Sequence, residues 1–260
     1  MSGALLLAGV LLGPAEPSLP DGNSLVRELA RKQRHWEEVL DSYTYDVEVL
    51  REELEKDGRV AKRRVRAYEV FYVKGRPVWR LVRDEGQPLD ADRQAKVDRA
   101  VKEKVDAINE GRSAAELAGV RLSAILERYD FRAVERESLD GRPAIVLDFS
   151  PRPGSRPLEH DNVLRVLAGR VWVDEAEREV VRAEIRNTAG VRVLLGLGAS
   201  VSTVSATFEF RKVGDTVWLP VREETQASGR VMLLKTFRTR VVLSYDHFRR
   251  FQVQAEEKVH

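Results

Sequence analysis

The residues of this chain that could do chemistry are few and far apart. It has four histidines, His35, His160, His247 and His260, none at the spacing of a paired metal ligand, and no cysteine. A thiolate metal site and a disulfide are therefore excluded. Glu159-His160-Asp161 could hold a metal ion or a proton-transfer pair. It also lies between a proline-rich loop and the start of a short helix, where such side chains cap free backbone amides. Gly196-Leu197-Gly198 imitates a phosphate-binding loop, yet a dinucleotide loop must open a helix and Val201 onward alternates as a strand. No G-x-S-x-G or Walker sequence occurs. The many carboxylates could still supply a glycosidase-like pair, which spacing alone leaves open.

Lys62, Arg64 and Arg66 share one strand face that continues into Tyr68 and Tyr72. Cations beside aromatics can stack and hold a single-stranded nucleic acid. The alternative is cross-strand pairing with Asp46 and Glu48 on the preceding strand. A formal net charge of only +2 favours ion pairing and argues against a nucleic-acid partner.

The elements that must position these residues are mostly strands. Ser42 to Lys56 alternates with period two, setting Tyr43, Tyr45, Val47 and Val49 against Thr44, Asp46, Glu48 and Glu52. Asp57-Gly58 makes a hairpin turn, and Arg59 to Val73 returns. Each arm is about three times the usual strand length, which suits a large curved sheet. Asn23 or Ser24 caps a helix running to about Leu40, with Leu25, Leu29, Trp36 and Leu40 near one stripe. A third strand covers Arg76 to Asp84. Asp90 to Asn109 is a second helix, with Val97, Val101, Val105 and Ile108 at helical spacing, and a capping box at Ser113-x-x-Glu116 opens a third. Strands then cover Phe131–Ser138 and Ala144–Phe149, and Asp161 to Ala168 reads as a short helix closed by Gly169. Six further strands follow from Val171, with turns at Gly214-Asp215 and Ser228-Gly229.

Hairpin connections dominate this order, so the expected fold class is α+β: a strongly curved antiparallel sheet with helices over its concave face. Ala4 to Leu12 is a nine-residue apolar run, too short to span a bilayer and of the length of a secretory leader core. The expected layout is a leader over residues 1–20 and one domain over 21–260, with a helical insertion at about 89–128. The exported product is expected in the periplasm, without a lipid anchor because no cysteine follows the leader.

Several strings resemble the LolA-like family of periplasmic lipoprotein-sorting and carrier proteins. They are the hairpin Val171-Trp-Val-Asp-Glu-Ala-Glu-Arg-Glu-Val-Val-Arg-Ala-Glu-Ile185, the strand start Trp218-Leu-Pro220, and the closing Tyr245-Asp-His-Phe-Arg-Arg-Phe251. The resemblance implies a half-barrel whose apolar groove carries acyl chains across water. The aromatics Trp36, Tyr43, Tyr45, Phe71, Trp79, Trp172, Phe208, Phe210 and Trp218 are the candidates to line that groove, an ordinary core being the alternative for each. The expectation is thus a non-catalytic binding or carrier protein for a lipid or lipoprotein acyl chain, with no cofactor and no metal, and with peripheral membrane contact. The rivals are an envelope sensor or scaffold whose groove takes a protein partner, and an envelope hydrolase.

Overall fold

A computed structural model describes residues 18–39, 42–111, 129–154, 164–193, 199–214, 217–231 and 235–250. The apolar leader, the Glu159-His160-Asp161 string, the glycines at 196 and 198 and the expected third helix lie outside these residues. Two long helices are described, α1 (Gly22–Val39) and α2 (Ala91–Asn109). The first strands are β1 (Tyr43–Leu54), β2 (Val60–Val73), β3 (Arg76–Asp84) and the two-residue β4 (Gln87–Pro88). After α2 come β5 (Tyr129–Leu139), β6 (Arg142–Pro151), β7 (Leu167–Asp174), β8 (Val180–Asn187) and the short β9 (Val191–Val193). The chain closes on β10 (Ala199–Val213), β11 (Val217–Val231) and β12 (Lys235–Arg250).

All strands belong to one antiparallel sheet in the order β4-β3-β2-β1-β12-β11-β10-β8-β7-β6-β5, with β9 paired to β10. Its two ends do not pair with each other, so the sheet is open. The first and last long strands meet in its middle, where β1 pairs with β12 from Tyr43–Arg250 to Glu53–Thr239. The hairpin turn between β1 and β2 forms at Asp57-Gly58 as the sequence predicts. Gly58 adopts a φ of 87°, and the Asp57 carboxylate accepts the Arg59 amide at 3.0 Å.

Residues directly opposite one another share a face, so the register identifies what lies on each side. One row runs Ala133–Leu147–Val171–Ala183–Phe208–Glu223–Leu243–Val49–Arg66–Asp84 across ten strands. At its β5 end it meets α1, whose Leu25, Val26, Leu29 and Ala30 are buried against β5 to β8. At its β3 end Asp84 bonds Arg93 of α2. Both described helices therefore lie over one face of the sheet.

Three local readings differ from the sequence pattern. The cap of α1 is Asp21, whose carboxylate accepts the Ser24 amide at 2.8 Å, while Asn23 turns aside to accept the Phe131 amide at 3.1 Å. Ser228-Gly229 is not a turn: β11 runs through it to Val231, and Gly229 pairs with Phe237. A Cβ there would stand 2.1 Å from the Ser200 carbonyl oxygen and 2.8 Å from the Phe237 ring, so the glycine lets an aromatic lie over the strand. Gly169 does not stop a helix either. Among the described residues of the expected helix, Leu164–Val166 form a 3-10 turn and Leu167 already opens β7, in which Gly169 sits with a Cβ position 1.8 Å from the Glu184 carbonyl oxygen. Gly169→Ala is therefore expected to destabilise the fold by about 1–3 kcal/mol through overpacking against backbone. The check is a lowered urea midpoint, and an unchanged midpoint would mean that β7 and β8 separate freely here.

Candidate ligand-binding face

Between the two helices the shared face is floored by β10, β11, β12, β1 and β2. The period-two alternation of β1 directs Tyr43, Tyr45, Val47 and Val49 to this side. Val47 and Val70 are fully buried, with Tyr45, Tyr68, Tyr72, Tyr245 and Phe248 gathered around them. Tyr45 lies at the hub, 5.3 Å from the Phe248 ring centre and 6.0 Å from that of Tyr245, and its hydroxyl is 3.1 Å from that of Tyr72. Burial raises the Tyr45 and Tyr245 hydroxyls far above the usual phenol range, so both stay neutral.

One carboxylate interrupts this apolar floor. Glu223 stands between Phe208 and Leu243 in the row described above. Its two oxygens accept the hydroxyls of Thr225 at 3.4 Å and Tyr245 at 3.2 Å. Burial pushes the Glu223 carboxyl upward, against the opposing pull of those two donors. Its chain neighbour Glu224 points to the other face and is held at about 2 by Arg240, with Gln226 and Arg222 adding to the effect.

Further toward the β3 edge the floor becomes charged. Arg64 and Arg66 do not pair with Asp46 and Glu48, which alternate onto the opposite face. Both turn to Asp84, at 2.9 Å and 3.4 Å, where Arg93 of α2 joins them. Together these arginines hold the Asp84 carboxyl well below the ordinary carboxylate range, Arg64 first. The ion cluster pins the first turn of α2, whose Asp90 cap accepts the Arg93 amide at 2.8 Å. Beyond the pin, Val97, Ala100 and Val101 of α2 stand across a cleft of about 300 Å³ from Tyr68, Trp79 and Leu81. Trp79 is 39% exposed there and packs edge-on to Tyr68 at 5.6 Å.

The nine aromatics read from the sequence divide between the two faces. Tyr43, Tyr45, Trp79 and Phe208 lie on the helix-bearing face. Phe71, Trp172 and Trp218 lie on the other, Phe210 touches the clusters of both, and the side chain of Trp36 is outside the description. On that other face a cavity of about 620 Å³ opens beside Trp218 and Phe210. Several polar groups around it are bonded to one another. Arg142 lies 5.7 Å over the Trp218 ring and bonds Asp174 at 2.6 Å and Glu177 at 2.9 Å. Trp218 donates to Glu177 at 2.9 Å, Lys212 reaches the same carboxylate at 3.0 Å, and Trp172 donates to Glu137 at 2.8 Å. This network closes the β7–β8 turn onto β11.

Sequence reasoning missed Glu223 and Thr225, because neither residue type nor local pattern marks them. Only the register between β10, β11 and β12 places Glu223 amid apolar side chains. Tyr245 was visible as the start of the closing string. Among the described residues no group of three or more histidines and carboxylates could hold a metal ion, and no helix is long and apolar enough to cross a membrane.

No family model and no curated protein matches the chain. Among solved structures it is similar to a domain from Vibrio parahaemolyticus named for outer membrane lipoprotein sorting, at 12% identity and a TM-score of 0.42, over 91% of this chain and 94% of that one. It is also similar to a LolA superfamily protein from Nitrosomonas europaea, at 10% identity and a TM-score of 0.39, over 90% of this chain and 96% of that one.

Proposed function

We propose that this protein is a non-catalytic binding or carrier protein that takes the acyl chain of a lipid or lipoprotein on its helix-bearing face. The observation that carries the reading is the cleft between α2 and β3. There an indole and valines face each other without filling the space between them, and Trp79 is left exposed. Burying a chain methylene in such a place contributes about 0.8 kcal/mol. A cleft of this size therefore holds a single chain reversibly, as a carrier must. The floor beside it is already filled by the tyrosine cluster around Val47 and Val70, and this favours the second reading, a scaffold whose α2 edge receives a protein partner.

Native mass spectrometry separates the two. Protein recovered from a bacterial periplasm is expected to carry a stoichiometric acyl-containing adduct. Trp79→Glu, which places a charge in the cleft, is expected to lower its occupancy about tenfold, the equivalent of about 1.4 kcal/mol, with no change in the unfolding midpoint. A mass that stays free of adduct after incubation with lipid would overturn the carrier reading.

A further inference from the structure

We propose that Glu223 is a headgroup subsite: its carboxylate receives the ammonium group of a cationic amphiphile whose chain runs over the tyrosine floor toward the α2 cleft. The inference rests on the acyl-binding reading above and names the charge of the ligand that reading leaves open.

The argument begins with an imbalance across one strand. Glu224 faces outward and is bonded by Arg222 at 2.9 Å and Arg240 at 2.7 Å. Glu223, one residue away, faces the apolar floor with Phe208 on one side and Leu243 on the other, and among the described residues no arginine or lysine bonds it. Glu223 is half-buried, and a carboxylate partly withdrawn from water without a cation is destabilised. Hydrogen bonding alone does not require a carboxylate here, since a glutamine could accept from one of the two hydroxyls and donate its amide to the other. What glutamate adds is a negative charge, held by two hydroxyls with each oxygen retaining a free lone pair. That arrangement suits a cation which arrives with the ligand.

The surroundings define the cation. Tyr245, bonded to Glu223, stands in a row with Val47, Tyr68 and Leu81, and the last two line the α2 cleft. From β11 to β3 is four strand spacings, roughly 19 Å. A hydrated metal ion would gain nothing from so apolar a path. An alkyl chain bearing an amine fits it, with the head at Glu223 and the tail at Trp79.

The test is calorimetric titration of the full chain with dodecylammonium and with dodecanoate, each below its micelle concentration. The wild-type protein is expected to bind the ammonium at least about tenfold more tightly than the carboxylate. Glu223→Gln, which removes the charge while its amide can still accept from one of the two hydroxyls and donate to the other, is expected to bring that ratio close to one. Glu224→Gln, on the other face, controls for overall charge and is expected to leave it unchanged. Equal binding of the two probes by the wild type, or a preference that survives Glu223→Gln, overturns the subsite while leaving an acyl-binding face in place. Failure of both probes to bind overturns the acyl-binding reading and the subsite with it.

Discussion

Leu29→Ala is expected to lower stability by about 3–5 kcal/mol, seen as a fall in the urea midpoint with little change in slope. Leu29 has no exposed surface and sits in the middle of the α1 stripe, within a cluster that includes Leu147 of β6, Val171 of β7 and Val180 of β8. The surrounding residues are strand side chains fixed by two-sided pairing, so they cannot collapse into the space left behind. A loss under about 1 kcal/mol would show that α1 lies loosely on the sheet and could lift as a lid. The expected large loss instead makes α1 a permanent part of the core and leaves α2 as the helix with room beneath it. That difference follows from how each helix is attached. α1 is held by apolar burial along its stripe, whereas α2 is held near its two ends, by Asp84 and its arginines at one and by buried Ile108 with Lys74 on the Asn109 carbonyl at the other, and leaves an apolar cleft between them.

How legible this arrangement was in the sequence depended on the range of the determining interaction. The long hairpin, β3 and α2 follow from local signals: alternation in Tyr43–Val49, the Asp57-Gly58 turn, and the Asp90 cap ahead of helically spaced valines. Each reads within a few residues, and each was placed close to its observed bounds. Ser228-Gly229 and Gly169 carry the same local signal as a turn or a helix stop, but they are fixed by what crosses them, the Phe237 ring in one case and the Glu184 carbonyl in the other. Facing was harder still. A bulge between Glu209 and Phe210 changes which side later residues take, so Phe210 could not be assigned by counting alternation along its own strand, whereas Trp172 follows the regular alternation of β7. Glu223 is the extreme case, since its whole significance comes from neighbouring strands, with Phe208 before it and Leu243 after it in the chain.

Asp174→Asn is expected to remove about 3–4 kcal/mol at neutral pH, and much less in acid. Asp174 is only 2% exposed, and its carboxylate accepts the Arg142 guanidinium at 2.6 Å together with the amides of Ala176 at 3.0 Å and Glu177 at 2.7 Å. Burial raises this carboxyl, but Arg142 and the turn amides outweigh it, and the folded-state pKa lies below the unfolded value. A group shifted in that direction stabilises the fold fully above its unfolded pKa, about 3.9. The contribution fades as the pH falls from there through the folded value. The asparagine variant has no such proton to gain. Its stability deficit relative to wild type should therefore be greatest at pH 7 and should narrow as the pH is lowered to about 3. Glu177 adds to the wild-type acid slope, being held at about 2 chiefly by the Trp218 indole and also by Lys212 and Arg142. Urea midpoints for the two proteins at both pH values decide the matter. A deficit that is equal at pH 7 and pH 3 would mean that the charge of Asp174 is irrelevant and that only its shape closes the β7–β8 turn onto Trp218.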